Sequence, residues 1–347
     1  MVNKNKEMML ISSSIFFKDF LLKIGRDQKK PMGRFNPSAW FVEITRGCNL
    51  NCGFCATALF PRNEFHFMPR DTWIQMCSLI QQISPFGRLE LAQAGEPLLH
   101  PYILQFLRTA RRIIPRIQLM TYTNGTQLIN KKISYKELFD AGINIVLVDM
   151  YSLEEDHVQL AEKSGFQFFV KEKAPKDAPR AWDNHHNPDL KLIVLMNHPG
   201  NWSNIKKRAV KMSTFFNNLD WKRAEKYGLK PIIEAPNRRC DQPAKYVNIG
   251  FDGTYSFCCF DFMRQVYGKL GDVSTGVDGF FKFWFGEYMQ FTRKLLHNKK
   301  RRRHEFCSMC SFTGNHCDIP WWPESLYDQF WTGSEWRDTP RICKIND

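Results

Sequence analysis

Apolar and polar positions follow two alternating periodicities between residues 40 and 197. Short apolar runs typical of buried strands recur, and most are followed by stretches with the apolar spacing of a helix. The pattern predicts strands at residues 40–45, 89–92, 117–123, 144–150, 166–170 and 190–197. It predicts helices at residues 71–83, 102–114, 135–141 and 154–163. Strands that alternate with helices in this way indicate βα units and a parallel sheet.

Six such units predict an α/β fold: a partial (β/α)6, TIM-like barrel. A separate C-terminal domain is expected to follow it, because the composition becomes rich in cysteine and aromatic residues after residue 240. In parallel barrels the active site lies at the carboxyl ends of the strands. Polar residues that directly follow a predicted strand are therefore the candidates for function.

Three cysteines lie immediately after the first predicted strand, at Cys48, Cys52 and Cys55. Three thiolates can hold three irons of a [4Fe–4S] cube, which leaves the fourth iron open to another ligand. A closed structural zinc site would need four protein ligands, and the next thiol, Cys77, is distant along the chain. The spacing favours an iron–sulfur cluster, with a zinc knuckle as the alternative.

The spacing of three and then two residues between these cysteines, with Phe54 before the third, resembles that of the radical S-adenosylmethionine (SAM) superfamily. In that family the amino and carboxylate groups of SAM chelate the open iron. An electron from the reduced cluster then splits the sulfonium, and the resulting 5′-deoxyadenosyl radical removes a hydrogen atom from the substrate. The resemblance implies an enzyme of this kind, reduced by a partner such as flavodoxin or ferredoxin.

Further resemblances to the family lie at the ends of the later strands. The run 94–97 (Ala-Gly-Glu-Pro) is similar to the family's Gly-Gly-Glu-Pro motif, whose glutamate would pair with the amino group of SAM. The Thr-Asn-Gly run at 123–125 is similar to runs beside the SAM ribose and carboxylate. Simple turns are the alternative for both runs. The expected SAM-binding residues are Phe54, Gly95, Glu96, Pro97, Thr123, Asn124, Asp149 and Asn197.

A second group of cysteines lies in the C-terminal part of the chain. Asp252-Gly253 predicts a hairpin turn, which puts Cys258 on the returning strand, and Cys307 and Cys310 follow later. Four thiolates could hold either zinc or an iron–sulfur cluster.

This segment resembles the C-terminal extension of SPASM and twitch radical SAM enzymes. The resemblance implies a small α+β domain that holds one auxiliary [4Fe–4S] cluster, which conducts or accepts electrons. Its expected ligands are Cys240, Cys258, Cys307 and Cys310, with Cys259 as an alternative to Cys258 and Cys317 as a spare thiol.

The expected domain organisation has five parts. They are an N-terminal extension (1–36), the radical SAM core (37–215), a linker (216–239), the auxiliary-cluster domain (240–318) and an aromatic tail (319–347). No apolar run is long enough to span a membrane, and no secretory signal is evident. Eleven cysteines without such a signal favour a reducing compartment, so we expect a cytoplasmic protein.

The substrate stays open among three classes. A peptide or protein is the first choice, because many enzymes with this extension modify peptides. Nucleic acid is the second, supported by a net charge of +14, the basic run at 299–303 and Arg108, Arg111 and Arg112. A small molecule such as an aminosugar is the third, since an auxiliary cluster could accept an electron during its dehydrogenation. A basic iron–sulfur or zinc protein that binds nucleic acid without turnover is the non-enzymatic alternative.

Overall fold

The computed structural model describes most of the two predicted domains. The described residues are 39–50, 52, 55, 57, 64–85, 87–151, 153–170, 190–197, 240, 242–262, 264, 266 and 268–310. Phe54, Cys317, the N-terminal extension, the linker at 216–239 and the aromatic tail lie outside them. Asn197 is described by its backbone only.

The chain folds into ten strands and eight helices within the described residues. The strands are β1 (Ala39–Val42), β2 (Thr45–Arg46), β3 (His66–Phe67), β4 (Arg88–Leu91), β5 (Gln118–Thr123), β6 (Ile145–Met150), β7 (Gln167–Val170), β8 (Leu192–Asn197), β9 (Tyr246–Ile249) and β10 (Tyr255–Ser256). The helices are α1 (Arg70–Ile83), α2 (Ile103–Ile113), α3 (Thr126–Ile129), α4 (Tyr135–Asp140), α5 (Glu154–Ser164), α6 (Gln242–Lys245), α7 (Gly276–Phe285) and α8 (Glu287–His297). Short 3₁₀ turns cover Pro97–Leu99, Val273–Thr275, Arg301–Arg303 and Cys307–Met309.

All six predicted strands and all four predicted helices are present, with ends that differ by a few residues. The first strand is the main exception, because it stops at Val42 and not at residue 45. Residues Thr45 and Arg46 instead form β2, which pairs antiparallel with β3. The chain segment that connects β2 to β3 carries Cys48, Cys52 and Cys55.

Strand order in the main sheet is β10-β9-β1-β4-β5-β6-β8-β7, and every neighbouring pair is parallel except β9 with β10. The fold is thus an α/β structure with a mainly parallel sheet, as predicted. Two features go beyond the prediction. Strand β8 lies between β6 and β7, and β9, from the C-terminal domain, pairs directly with β1.

The position of β8 beside β6 depends on Asn144, which is fully buried just before β6. Its Oδ1 accepts hydrogen bonds from Leu119 N (2.9 Å) and from Arg111 Nη2 (2.6 Å). Its Nδ2 donates to Leu190 O (3.1 Å), just before β8. One amide therefore ties three consecutive strands of the sheet together, and a buried amide stripped of these partners would be costly.

The two faces of the sheet carry different cores. Helices cover one face, where Trp40, Leu91 and Val148 pack against helical residues such as Trp73 and Phe106. The opposite face, which is the inner face of a partial barrel, carries a smaller apolar cluster. Its members are Ala39, Phe41, Met120, Ile145, Leu147, Leu192, Val194, Met196, Tyr246 and Cys259.

The predicted hairpin in the C-terminal domain is present as β9 and β10. Gly253 has a φ of +83°, in the left-handed region that favours glycine, as the turn requires. The returning strand is shorter than predicted: β10 ends at Ser256, so Cys258 lies in the turn that follows and not on the strand.

None of the helices that the structure describes has the length and apolar character needed to cross a bilayer.

Replacing Asn144 with alanine should lower the free energy of unfolding by about 2–3 kcal/mol, because the buried N–H of Leu119 and the half-buried guanidinium of Arg111 lose their acceptor. Urea unfolding followed by circular dichroism measures this change. Asn130→Ala, at an exposed position, is the matched control and should cost less than about 1 kcal/mol. Equal costs for the two variants would contradict the bridging role of Asn144.

Candidate functional site

The cysteine-bearing segment leaves the sheet beside the chain that follows β4. Gly47 N donates to Ala94 O (3.1 Å), and Glu96 N donates to Gly47 O (3.0 Å). Gly47 and Gly95 thus form a parallel bridge beyond the ends of β1 and β4. Cys48 is consequently held next to the Gly95-Glu96 pair that the sequence marked as part of a SAM pocket.

Close backbone contact explains why glycine stands at position 95. A Cβ atom there would lie 1.9 Å from Thr45 O and 2.9 Å from Gly47 O. Both are backbone atoms that cannot swing aside as a flexible side chain could. The glycine therefore permits the approach of two chain segments, which is a structural role whatever ligand binds nearby.

Glu96 is anchored inside the site by three hydrogen bonds. Its Oε1 accepts from Leu98 N (3.0 Å) and from Thr123 Oγ1 (2.7 Å), and its Oε2 accepts from Asn124 N (2.7 Å). Burial raises its pKa to about 7, and the nearby carboxylate of Asp149 adds to the rise. Two acidic groups near each other in a buried setting favour a cation between or beside them.

Pro97 begins the 3₁₀ turn Pro97–Leu99, where its missing N–H costs nothing. Asp149 lies one residue before the end of β6, and Asn197 is the last residue of β8, in register with Met150. The structure thus brings Glu96, Thr123 and Asn124 together around one carboxylate, with Asp149 near by.

Asn124 links this carboxylate to the first cysteine. Its Nδ2 donates to Asn49 Oδ1 (3.0 Å) and lies 3.5 Å from Cys48 Sγ. Its Oδ1 accepts from the hydroxyl of Thr126 (2.7 Å), which in turn accepts from Asn49 Nδ2 (2.7 Å). Asn49 and Thr126 were missed from the sequence, although each lies one or two residues from a predicted site residue.

The thiol of Cys48 sits in a setting suited to a metal-bound thiolate. Burial raises its pKa to about 11, so the free thiol keeps its proton at neutral pH. Leu50 N (3.4 Å) and Asn124 Nδ2 point donors at the sulfur, and donors of this kind stabilise a thiolate once a metal displaces the proton.

Cys52 and Cys55 complete the set of three. Cys55 N donates to Cys52 O (3.0 Å), which closes a turn between them, and Thr57 Oγ1 donates to Cys55 Sγ (3.1 Å). All three thiols are partly exposed and free of disulfides. Three thiols with hydrogen-bond donors around them match the donor set of a cube with one open iron.

The four auxiliary cysteines lie close enough to affect one another. Burial raises the pKa of Cys307 well above its ordinary value, and the neighbouring thiols of Cys310, Cys258 and Cys240 raise it further. Burial likewise raises the pKa of Cys240 to about 12. Such thiols ionise when a metal binds them and are otherwise inert.

Cys258 and Cys259 belong to different apolar clusters, although their neighbouring side chains also interact with each other. Cys258 packs in the helix-side core together with Cys307 and Cys310. Cys259 packs on the inner face beside Phe41, with its thiol 3.7 Å from Gln242 Oε1. The arrangement therefore favours Cys258 over Cys259 as the fourth auxiliary ligand.

No three His, Cys, Asp or Glu side chains among the described residues converge tightly enough to hold a single metal ion.

A buried histidine shapes the turn that carries Cys307. Burial lowers the pKa of His304 to about 4, so its ring is neutral. Nδ1 accepts from Cys307 N (3.4 Å) and Phe306 N (3.3 Å), and the protonated Nε2 donates to Thr292 Oγ1 (3.0 Å). Sequence reasoning did not single out His304, because its role depends on the packing of the turn against α8.

Ion pairs join the two thiol sites across the domain boundary. Glu43, buried just after β1, contacts Arg46 (3.3 Å) and Arg264 (3.1 Å). Arg46 also donates to Phe262 O (2.8 Å), four residues after Cys258. Arg46 lies two residues before Cys48, so the two cysteine-bearing segments are held to each other by charged side chains as well as by the sheet.

Two family models match this chain. The model of the radical SAM superfamily matches residues 42–176, and that of an iron–sulfur cluster-binding domain, SPASM, matches residues 240–311. The chain belongs to the radical SAM superfamily. Membership implies that this radical SAM enzyme uses SAM, a [4Fe–4S] cluster and an external reductant, and the SPASM match implies an auxiliary iron–sulfur centre.

Two curated relatives differ in how much of this radical SAM enzyme they cover. The S-adenosyl-L-methionine-dependent 2-deoxy-scyllo-inosamine dehydrogenase of Niallia circulans is 22% identical over 271 residues, which is 78% of this chain and 91% of the relative. The GTP 3',8-cyclase of Mycobacterium ulcerans (strain Agy99) is 26% identical over 121 residues, 33% of this chain and 32% of the cyclase.

A solved structure, BtrN in complex with AdoMet and 2-DOIA, shares the fold of this radical SAM enzyme. The TM-score is 0.54 at 19% sequence identity, and the match covers 79% of this chain and 92% of that one.

Gly95→Ala should disrupt the cysteine-bearing segment, because the added Cβ meets the carbonyl oxygen of Thr45. The loaded variant should lose about four irons per chain, the content of one cube, while the auxiliary centre stays filled. Iron and sulfide counting after anaerobic reconstitution measures the loss.

Gly165→Ala is the control, since a Cβ at that position meets nothing within 4 Å and costs only left-handed backbone strain. Full iron content in Gly95→Ala would show that the close contact at Thr45 is not needed for the site.

Proposed function

We propose that this enzyme oxidises a small hydroxyl- or amino-bearing molecule by two electrons. In this proposal Cys48, Cys52 and Cys55 hold the SAM-binding cluster, and Cys240, Cys258, Cys307 and Cys310 hold the auxiliary cluster. When bound, the first cluster and SAM supply hydrogen-atom abstraction, and the auxiliary cluster supplies an acceptor for the electron that the substrate gives up with a proton.

The observation that carries the proposal is the arrangement of Cys258 and Cys259. Cys258 joins the auxiliary thiols, whereas its neighbour Cys259 packs on the inner face of the sheet with Phe41 and Met196. Because Cys258 and Cys259 are consecutive residues, the proposed auxiliary site lies next to the interior of the partial barrel. An electron acceptor so close to the barrel interior suits an oxidation that ends with electron removal.

Within the pocket, Glu96 would bind the amino group of SAM, with Asp149 adding negative charge. Thr123 and Asn124 hold Glu96 in place, and Asn124 also reaches Cys48. The same hydrogen-bond network would thus fix the orientation of SAM relative to the first cysteine. Phe54 and Asn197 stay predicted contacts.

The dehydrogenase from Niallia circulans supports a small substrate, because the match spans 78% of this chain and 91% of the length of the dehydrogenase. The peptide substrate favoured by the sequence stays a prediction without a structural observation behind it.

Two of the arginines that supported the nucleic-acid alternative are not placed to bind phosphate. Arg111 donates hydrogen bonds to Pro115 O, Ile117 O, Gly142 O and Asn144 Oδ1, all inside the chain. Arg301, at the centre of the basic run, is 1% exposed. Phosphate contacts require exposed cations, so these two guanidinium groups do not support binding to a nucleic acid.

We further propose that a low-potential protein such as flavodoxin or ferredoxin delivers the first electron, and that the enzyme works in the cytoplasm. The described cysteines carry free thiols, which fits a reducing compartment.

The reconstituted enzyme, incubated anaerobically with reductant, SAM and a panel of aminocyclitols and aminosugars, should form 5′-deoxyadenosine and an equal amount of a product lighter by two hydrogen atoms. Cys52→Ala should abolish both products. Cys258→Ala should still form 5′-deoxyadenosine but should lose at least about nine tenths of the oxidised product, for want of an electron acceptor.

Cys77→Ala is the matched control, because Cys77 is fully buried in α1 and belongs to neither thiol site. Mass spectrometry of both products measures the effects. Oxidised product from Cys258→Ala in full yield, or turnover of short peptides alone, would overturn the proposal.

The affinity for SAM should rise as pH increases from 6 to 8. The pKa of Glu96 lies near 7, so the carboxyl loses its proton over this range and gains the charge that attracts the SAM ammonium group. Below the pKa the change approaches about tenfold per pH unit. Equilibrium binding of SAM to the loaded enzyme measures it.

Glu96→Gln keeps the size of the side chain without the titration, and it should bind SAM weakly with little dependence on pH. An equally steep pH dependence in Glu96→Gln would assign the titration to another group.

A further inference from the structure

The basic run at 299–303 does not form a uniform surface patch. Arg302 and Arg303 are exposed, whereas Arg301 is 1% exposed and lies in the same 3₁₀ turn. A guanidinium is rarely buried unless anionic or polar groups face it. The local environment of Arg301 therefore indicates what this cation does.

The backbone carries Arg301 into the auxiliary thiol site. Cys240 N donates to Leu296 O at the end of α8, and the chain then runs through the turn Arg301–Arg303 directly to the turn Cys307–Met309. Within this corner, His304 N donates to Arg301 O (3.0 Å) and Ser308 N donates to His304 O (2.9 Å), so the two turns form one hydrogen-bonded unit. The buried Arg301 thus belongs to the same corner of the chain as Cys240 and the turn that carries Cys307.

The electrostatics agree with this placement. The guanidinium of Arg301 lowers the pKa of both Cys240 and Cys307, against the larger effect of burial. A positive charge that favours the thiolates of the free chain also favours negative charge on a cluster bound by them.

We propose that Arg301 is a positioning residue that sets the reduction potential of the auxiliary cluster. This inference rests on the proposed ligands Cys240, Cys258, Cys307 and Cys310. A [4Fe–4S] cluster with four thiolate ligands is anionic and gains one more negative charge when it accepts an electron. A fixed, buried cation stabilises the reduced form more than the oxidised form, and so raises the potential.

The reduction potential of the auxiliary cluster matters for the proposed oxidation. A substrate radical passes its electron to the auxiliary cluster more readily when the potential of the cluster is higher. Arg301 would thus make the cluster a better acceptor without touching the substrate.

The test uses the full chain with Cys48, Cys52 and Cys55 replaced by alanine, so that only the auxiliary cluster is loaded. Its midpoint potential is measured by redox titration followed by electron paramagnetic resonance, in the parent and in Arg301→Met, Arg301→Gln and Arg301→Lys. The neutral variants should shift the equilibrium for reduction at least about tenfold toward the oxidised cluster, a fall of about 59 mV for one electron. Arg301→Lys should stay close to the parent, as should Arg303→Met, the exposed control in the same turn.

The results distinguish an electrostatic role of Arg301 from a geometric one. A loaded neutral variant with an unchanged potential would overturn the role of Arg301. If both neutral variants fail to load but Arg301→Lys loads normally, the charge is needed to hold the anionic cluster, which supports the inference. If Arg301→Lys also fails to load, the role is geometric and the inference is wrong. If the parent itself binds no auxiliary cluster, the proposed ligands and function fail instead.

Discussion

The main-chain pairing of β1 with β9 is the constraint on which the rest of the structure depends. Residues Ala39 to Val42 pair in parallel with Tyr246 to Ile249, although some 200 residues separate them along the chain. On its other side β1 pairs with β4. One short strand therefore lies between the SAM-binding half of the molecule and the auxiliary domain. Its carboxyl end leads to Cys48, and the hairpin that returns from β9 leads to Cys258.

The charged contacts beyond the sheet reinforce this constraint. Glu43 extends β1 with a buried carboxylate, and it holds Arg46 on the cysteine side and Arg264 on the auxiliary side. Arg264 also pairs with Asp252 in the hairpin turn and lies over the ring of Phe251. A buried carboxylate with two cations is stable only when all three groups stay in place. The geometry between the two thiol sites is therefore fixed by both backbone and side chains, which suits transfer of an electron between neighbouring centres.

Much of the fold could be predicted because its signals are local. The six strands, the four helices and the hairpin at Asp252-Gly253 each follow from periodicity or turn chemistry within a short window. The position of β8 beside β6 could not be predicted, because it depends on how the side chain of Asn144 meets Leu119 and Leu190. The pairing of β1 with β9 is equally non-local, because some 200 residues separate the two strands along the chain.

For the candidate site, too, the sequence identified residues with local signals and missed residues whose roles depend on tertiary contacts. The cysteines and the Gly95-Glu96 pair could be proposed as site residues from the sequence, because cysteine spacing and glycine turns are local signals. Asn49, Thr126 and His304 were missed, because their roles arise from hydrogen bonds across elements. The basic run at 299–303 was counted in support of the nucleic-acid alternative, because the sequence could not show that Arg301 is buried.

The most direct measurement of the central claim is the magnetic interaction between the two centres in the fully reduced enzyme. If one rigid sheet holds both clusters as neighbours, the electron paramagnetic resonance spectrum of the doubly loaded protein should show spin–spin broadening. That broadening should vanish when either set of cysteines is replaced by alanine. A spectrum of the doubly loaded protein equal to the sum of the two singly loaded spectra would contradict the claim.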